Sequence, residues 1–174
     1  MLKSAPSQRR GVRLAGSEAL RVVSRLSRTA SISAPAGKMK GMEEVMGESY
    51  VPDGYSRVVP YLTVEDANRL LDFLTQVFEA EVVDKNDRSD GKLAHAAVRI
   101  GDSIIELAEA SDRFGAMPGA IHIYGPDVDR THGLALKHGG ETVHEPMEMD
   151  YGERASAIKD PMGNHWYIAT YRRS

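Results

Sequence analysis

A few side chains in the C-terminal two-thirds of this chain are of types that move protons or hold polar ligands, and strand alternation sorts them onto faces. Residues 93–100 (LAHAAVRI) and 103–108 (SIIELA) read as two β-strands joined at Gly101-Asp102, a plausible tight hairpin. With a two-residue turn there, Ala97 stands opposite Glu106. His95, two residues from Ala97, then shares the face of Glu106. By the same parity Tyr61 lies on the face of Val59, His122 on that of Ala120, and His165 on that of Tyr167. A carboxylate beside an imidazole is general acid–base equipment. Glu106 could give or take a proton, and His95 or His122 could shuttle it or orient a carbonyl. The same groups could equally satisfy one another by hydrogen bonding.

The elements that must position them follow an order that repeats. Residues 57–64 read as a strand in which Pro60 favours an edge. Asp66 caps a helix whose Ala67, Leu70, Leu71, Leu74, Val77 and Phe78 form one apolar face. A short strand at 80–84, a turn-rich stretch and the hairpin complete a βαβββ unit. After a connector at 109–118 come a strand at 119–125 and a helix from about Asp127 to His138, ended by Gly139-Gly140. A strand at 141–144, the loop EPMEMDYGE, and strands at 154–159 and 165–171 follow. The halves superpose at a constant offset of 61 residues, so that Val64-Glu65-Asp66 matches Gly125-Pro126-Asp127. Two such units imply an α+β fold with two sheets and outer helices.

That double βαβββ order, Val64-Glu65-Asp66 leading into helix one, Ile100-Gly101-Asp102-Ser103, and Asp160-Pro161-Met162-Gly163-Asn164-His165-Trp166 together resemble the vicinal oxygen chelate superfamily, in its glyoxalase-like, bleomycin-resistance-like branch. The resemblance covers about residues 51–171. It implies two tandem modules, about 56–108 and 119–171, forming a U-shaped mixed sheet around a cleft with the helices outside. It also implies that Tyr61, His95, Glu106, His122, His165 and Tyr167 face that cleft. Metal-dependent members hold one divalent ion with four side chains, and the corresponding positions here are Val59, Glu106, Ala120 and Tyr167. Valine and alanine cannot coordinate, so the usual four-residue site is not expected and no cofactor is required. A divalent metal at a shifted site of His95, Glu106 and His122 stays as an alternative.

Around this domain the sequence is uneven. Of its 174 residues, the first 40 hold nine Lys/Arg, seven serines and one acid, Glu18, whereas the other 134 carry a net charge of −11. Arg21, Arg25 and Arg28 form a stripe apart from Val12, Ala15, Ala19, Val22, Val23 and Leu26, the pattern of a basic amphipathic helix. Residues 1–48 therefore read as a transit-peptide-like leader or a disordered extension, and the location as cytoplasmic or mitochondrial. The net charge of −3 gives no sign of a nucleic-acid partner, and no apolar run approaches membrane-spanning length. With no cysteine, disulfides, thiolate metal sites and cysteine nucleophiles are excluded. Neither a phosphate-binding glycine loop nor a dinucleotide fingerprint is present.

Three functions follow as expectations. The first is binding of a small molecule in the cleft, with Tyr61, His165 and Tyr167 as ligand contacts. The second is a lyase, isomerase or dioxygenase-type enzyme using Glu106 with His95 and His122. The third is a homodimeric structural or regulatory module. Arg99 shares the parity of His95 and could hold an anion, though its place near the hairpin end favours solvent. His132 and His138 are expected to be solvated on helix two, and Trp166 to pack beneath that helix.

Overall fold

The computed structural model describes residues 50–172; the basic leader and its helical stripe lie outside the described residues. Strand β1 (Tyr61–Val64), helix α1 (Ala67–Val77) and strands β2 (Glu81–Asp87), β3 (Leu93–Ile100) and β4 (Ser103–Glu109) form module one. Strand β5 (Ala120–Tyr124), helix α2 (Val128–Lys137) and strands β6 (Glu141–Glu148), β7 (Glu153–Lys159) and β8 (His165–Tyr171) form module two. Each module is a mixed four-stranded sheet, ordered β1-β4-β3-β2 and β5-β8-β7-β6. The first strand of each runs parallel to the last, and the other pairs are antiparallel. This is the expected tandem βαβββ architecture.

Local chemistry explains where the elements begin and end. Asp66 and Asp127, at the 61-residue offset, each cap a helix by accepting from the backbone N–H three residues on. At the end of α2, Gly139 adopts φ 92°, and Gly140 N–H donates to the Ala135 carbonyl. A Cβ on Gly140 would lie 2.9 Å from that carbonyl oxygen, so a side chain there is excluded. Three expected boundaries move, one of them the end of β2, which runs to Asp87 where a turn-rich stretch was expected after 84. Strand β1 starts at Tyr61 rather than 57. Pro60 has no N–H to pair, although its carbonyl accepts from Glu106 N–H at 2.9 Å. The expected loop after 144 is largely strand, because β6 continues to Glu148 through two irregularities in its pairing with β7.

One apolar core runs through both modules. Leu62, Leu70, Leu74, Leu107, Ile158, Trp166 and Ile168 are almost fully buried within it. Trp166 does not serve α2 alone. Its ring centroid lies 4.7 Å from that of Phe78, just past the end of α1, so it joins the modules. Beneath it, Asp160 is a buried carboxylate that accepts from Met162 N, Asn164 N, Asn164 Nδ2 and Trp166 Nε1, all at 2.8–2.9 Å. Asn164 Oδ1 in turn accepts from Gly119 N, which ties the β7–β8 turn to the start of β5. One of the two helix-two histidines also differs from expectation. His132 is only 4% exposed, with Nε2 3.0 Å from Thr142 Oγ1, because α2 lies on β6 at that point. Burial holds its pKa below the ordinary imidazole value, against the nearby Glu145 and Asp129.

Candidate functional site

The face of sheet one opposite α1 carries the chemistry. In the β3–β4 ladder Ile100 pairs with Ser103 and Ala97 with Glu106, which is the register of a two-residue Gly101-Asp102 turn. The parallel β1–β4 ladder sets Tyr61 opposite Glu106. Tyr61, His95 and Glu106 therefore share one face, as their parity requires. His95 Nε2 lies 3.8 Å from Glu106 Oε1, and the His95 and Tyr61 ring centroids are 6.1 Å apart.

A fourth member was not legible from parity. Asp84 Oδ2 lies 3.5 Å from His95 Nδ1, so one imidazole stands between two carboxylates. Asp84 comes from β2, where a register shift between Val82 and Asp84 sets it opposite Ala97. Only the β2–β3 pairing could have revealed it. Neither contact is a hydrogen bond at these distances, but each ring nitrogen faces a carboxylate, an arrangement that passes protons once the groups close up by about 0.5–1 Å. All three groups are partly accessible, with side-chain exposures of 53% for Asp84, 31% for His95 and 26% for Glu106.

Sheet two holds the rest of the expected set. His122 pairs with Tyr167 and Ala120 with His165 across β5–β8. His122 stacks near Tyr124, with centroids 4.7 Å apart, and burial lowers its pKa, partly opposed by Glu153. The Tyr124 hydroxyl donates to Glu153 Oε1 at 3.1 Å. Among the described residues no hydrogen bond, ion pair or ring contact joins His122, His165 or Tyr167 to His95, Glu106 or Tyr61. The six residues thus fall in two sets of three, one on each sheet, with no direct contact between the sets among the described residues. His122 lines a cavity of about 430 Å³ with Ile104, Tyr124 and the β3–β4 turn.

The metal question turns on donors. Val59, Glu106, Ala120 and Tyr167 occupy the four positions that the resemblance assigns to ligands, and two of them offer only hydrocarbon. That set does not fit a divalent ion. The shifted set is not assembled either. His95 and Glu106 meet but His122 does not join them, and among the described residues no three His, Asp or Glu side chains are arranged to hold a metal.

Two residues outside the expected set frame the site. Arg99 turns to the chain before β1, donating to the Gly54 carbonyl at 3.3 Å. Arg88, in the β2–β3 connection, reaches back over sheet one and donates to the Glu109 carbonyl at 3.0 Å. It lines a cavity of about 390 Å³ together with Tyr61, Thr63, Ala94, Ala108 and Phe114. Sequence reasoning saw Arg88 only as part of a turn.

Comparison with known proteins agrees with this architecture. Residues 54–168 match the Glyoxalase/Bleomycin resistance protein/Dioxygenase superfamily. An uncharacterized protein of Mycobacterium bovis is 31% identical over 120 residues, covering 63% of this chain and 79% of its own. Among solved structures, TioX from Micromonospora sp. ML1 superposes with a TM-score of 0.57 at 21% identity, covering 67% of this chain and 99% of that one. The fosfomycin resistance protein FosX from Mesorhizobium loti gives a TM-score of 0.51 at 18% identity, over 67% of this chain and 92% of that one. At those identities the structural likeness speaks for the fold alone. With the matched region spanning both modules, the chain belongs to the Glyoxalase/Bleomycin resistance protein/Dioxygenase superfamily.

Proposed function

We propose that this domain binds a small organic molecule on the open face of sheet one, without the four-ligand metal site of the superfamily's metal-dependent members. The observation that carries the reading is the Asp84–His95–Glu106 line, partly open to solvent, with Tyr61 linking it to the adjoining cavity. Convergent polar groups beside an apolar concavity are the usual make-up of a small-molecule site. The test is a ligand screen by thermal shift on the full-length protein, with metal content measured by elemental mass spectrometry. A hit is expected to lose about tenfold or more in affinity in both His95→Gln and Glu106→Gln, the loss of one charge-assisted hydrogen bond. Hits that bind both variants as tightly as the parent, or a metal near one per chain, would overturn the proposal.

A second reading, an enzyme of the lyase or isomerase kind, draws on the same line. Glu106 would act as the general base or acid, His95 would hold and relay the proton, and Asp84 would orient the ring. His122, on the other sheet, has no part in that step. Here Glu106→Gln is expected to lower kcat by about 10²–10⁴-fold while ligand affinity changes far less. An unchanged kcat in that variant would remove Glu106 from catalysis.

A further inference from the structure

We propose that the cavity over sheet one selects an organic anion, a carboxylate or phosphonate on a small apolar or aromatic body, and that Arg88 is its anchor. The inference rests on the small-molecule reading above and names the class of ligand.

The argument starts from an unused charge. The Arg88 guanidinium has five N–H donors, and its one hydrogen bond in the described structure goes to the neutral Glu109 carbonyl. No carboxylate pairs with it among the described residues, although the domain is rich in acids. The nearest candidate is committed elsewhere. The Glu109 carboxylate is buried on the helix side, accepting from Ala67 N at 2.8 Å and Lys92 Nζ at 2.9 Å. Residue 109 thus gives its carbonyl to the cavity side and its charge to the other. A half-buried cation beside a cavity, with donors to spare, is the arrangement that planar oxyanions complete in a two-pronged fashion.

The surroundings suit such a ligand. Ser111 lines the cavity too, and its Oγ accepts from Phe114 N–H at 3.2 Å, which leaves the hydroxyl hydrogen free to donate. Thr63 Oγ1 has no hydrogen-bond partner among the described residues. Two hydroxyl-bearing side chains and a guanidinium therefore line the same cavity. Ala94 and Ala108 are small and leave room above the sheet, while Tyr61 and Phe114 supply aromatic walls that are 50% and 62% exposed. A volume of about 390 Å³ lies toward the small end of ligand sites, enough for a single ring with an acidic group. Ala108 is two residues along β4 from Glu106 and on the same face, so a molecule anchored at Arg88 can extend toward Glu106 and His95.

The test uses benzoate and phenylphosphonate as probes, with benzamide as the uncharged shape control, titrated by ligand-observed NMR into the full-length protein. Arg88→Met removes the charge and Arg88→Lys keeps it without the fork. At least one anion is expected to bind at millimolar concentration, and whether that is benzoate or phenylphosphonate identifies the oxyanion. Arg88→Met is expected to weaken that probe about ten- to a hundredfold and Arg88→Lys less, with benzamide weak throughout. Thermal melts of both variants check that the fold is intact, and the Lys variant serves if Met unfolds the chain. Benzamide binding as well as the anions, unchanged anion binding in the variants, or no anion binding at all overturns the assignment. Uncharged hits from the wider screen that depend on His95 and Glu106 would leave the small-molecule reading standing.

Discussion

Asp160→Ala is expected to destabilise the domain by about 4 kcal/mol, lowering Tm by on the order of 15 °C. The carboxylate is buried and serves four N–H donors, two from the 160–164 turn, one from the Asn164 amide and one from the Trp166 indole. Alanine would strand all of them where water has little access, and each stranded buried donor costs about 1–3 kcal/mol before relaxation. The damage would not stay local. Asn164 also holds Gly119 at the start of β5, and Trp166 stacks on Phe78 across the modules. Chemical denaturation of the parent, Asp160→Ala, Trp166→Phe and the double variant measures this. Trp166→Phe should cost less in the alanine background than alone, since its indole donor has already lost its partner. A loss under about 1 kcal/mol for Asp160→Ala, or strict additivity, would show that the turn stands without the carboxylate.

Glu109→Ala is expected to cost about 2 kcal/mol at neutral pH, and the loss should shrink in acid to what a neutral acceptor contributes. Burial pushes the Glu109 carboxyl pKa up, but the hydrogen bonds from Ala67 N–H and Lys92 outweigh it and leave the group below its ordinary value. The negative charge also sits at the N-terminus of α1, where exposed backbone N–H groups favour an anion. A carboxylate depressed on folding adds stability that is fully present above its unfolded pKa of about 4.5, and loses it as pH falls through the folded value. Stability of the parent should therefore drop below about pH 4.5 more steeply than that of Glu109→Ala or Glu109→Gln. Denaturant midpoints at neutral pH and in the carboxylate titration range decide the matter. Parallel curves across that range would mean that the Glu109 charge contributes nothing to folding. Glutamine, which keeps an acceptor for Ala67 N–H, should recover part of the loss at pH 7.

These expectations draw on parts of the molecule that differ in how far the sequence disclosed them. Facing was legible wherever a strand pairs in unbroken register. Side chains alternate with period two, and the β1–β4, β3–β4, β5–β8 and β7–β8 ladders run without a break in register. Tyr61, His95 and Glu106 therefore share a face, as do His122, His165 and Tyr167. The irregularities fall in β2 and β6, one edge strand of each sheet, where pairing on one side only tolerates a bulge. Asp84 lies beyond such a break, and so parity alone could not place it beside His95.

The helix caps and the 61-residue repeat were legible for a related reason. Asp66, Asp127 and the Gly139-Gly140 stop act on neighbours a few residues away, so composition and spacing carry them. His132 shows the limit of that logic. Its place on a polar stretch of helix suggested solvent, yet it is buried, because what covers it is β6 and not its own helix.

By itself the sequence determined the element order, the helix ends, the facing of the regularly paired strands and the lack of donors at two of the four metal positions. The first three follow from residue type and local periodicity, and the fourth from residue type at the positions that the family resemblance marks. Tertiary structure decided which of those residues meet. It set Asp84 beside His95, divided the six expected site residues between two sheets, turned Arg99 onto Gly54, and carried Arg88 over the sheet to Glu109. The reason is that these contacts join positions from 11 to 45 residues apart. Their existence depends on which strands pair and where a register slips, and no local pattern encodes that choice.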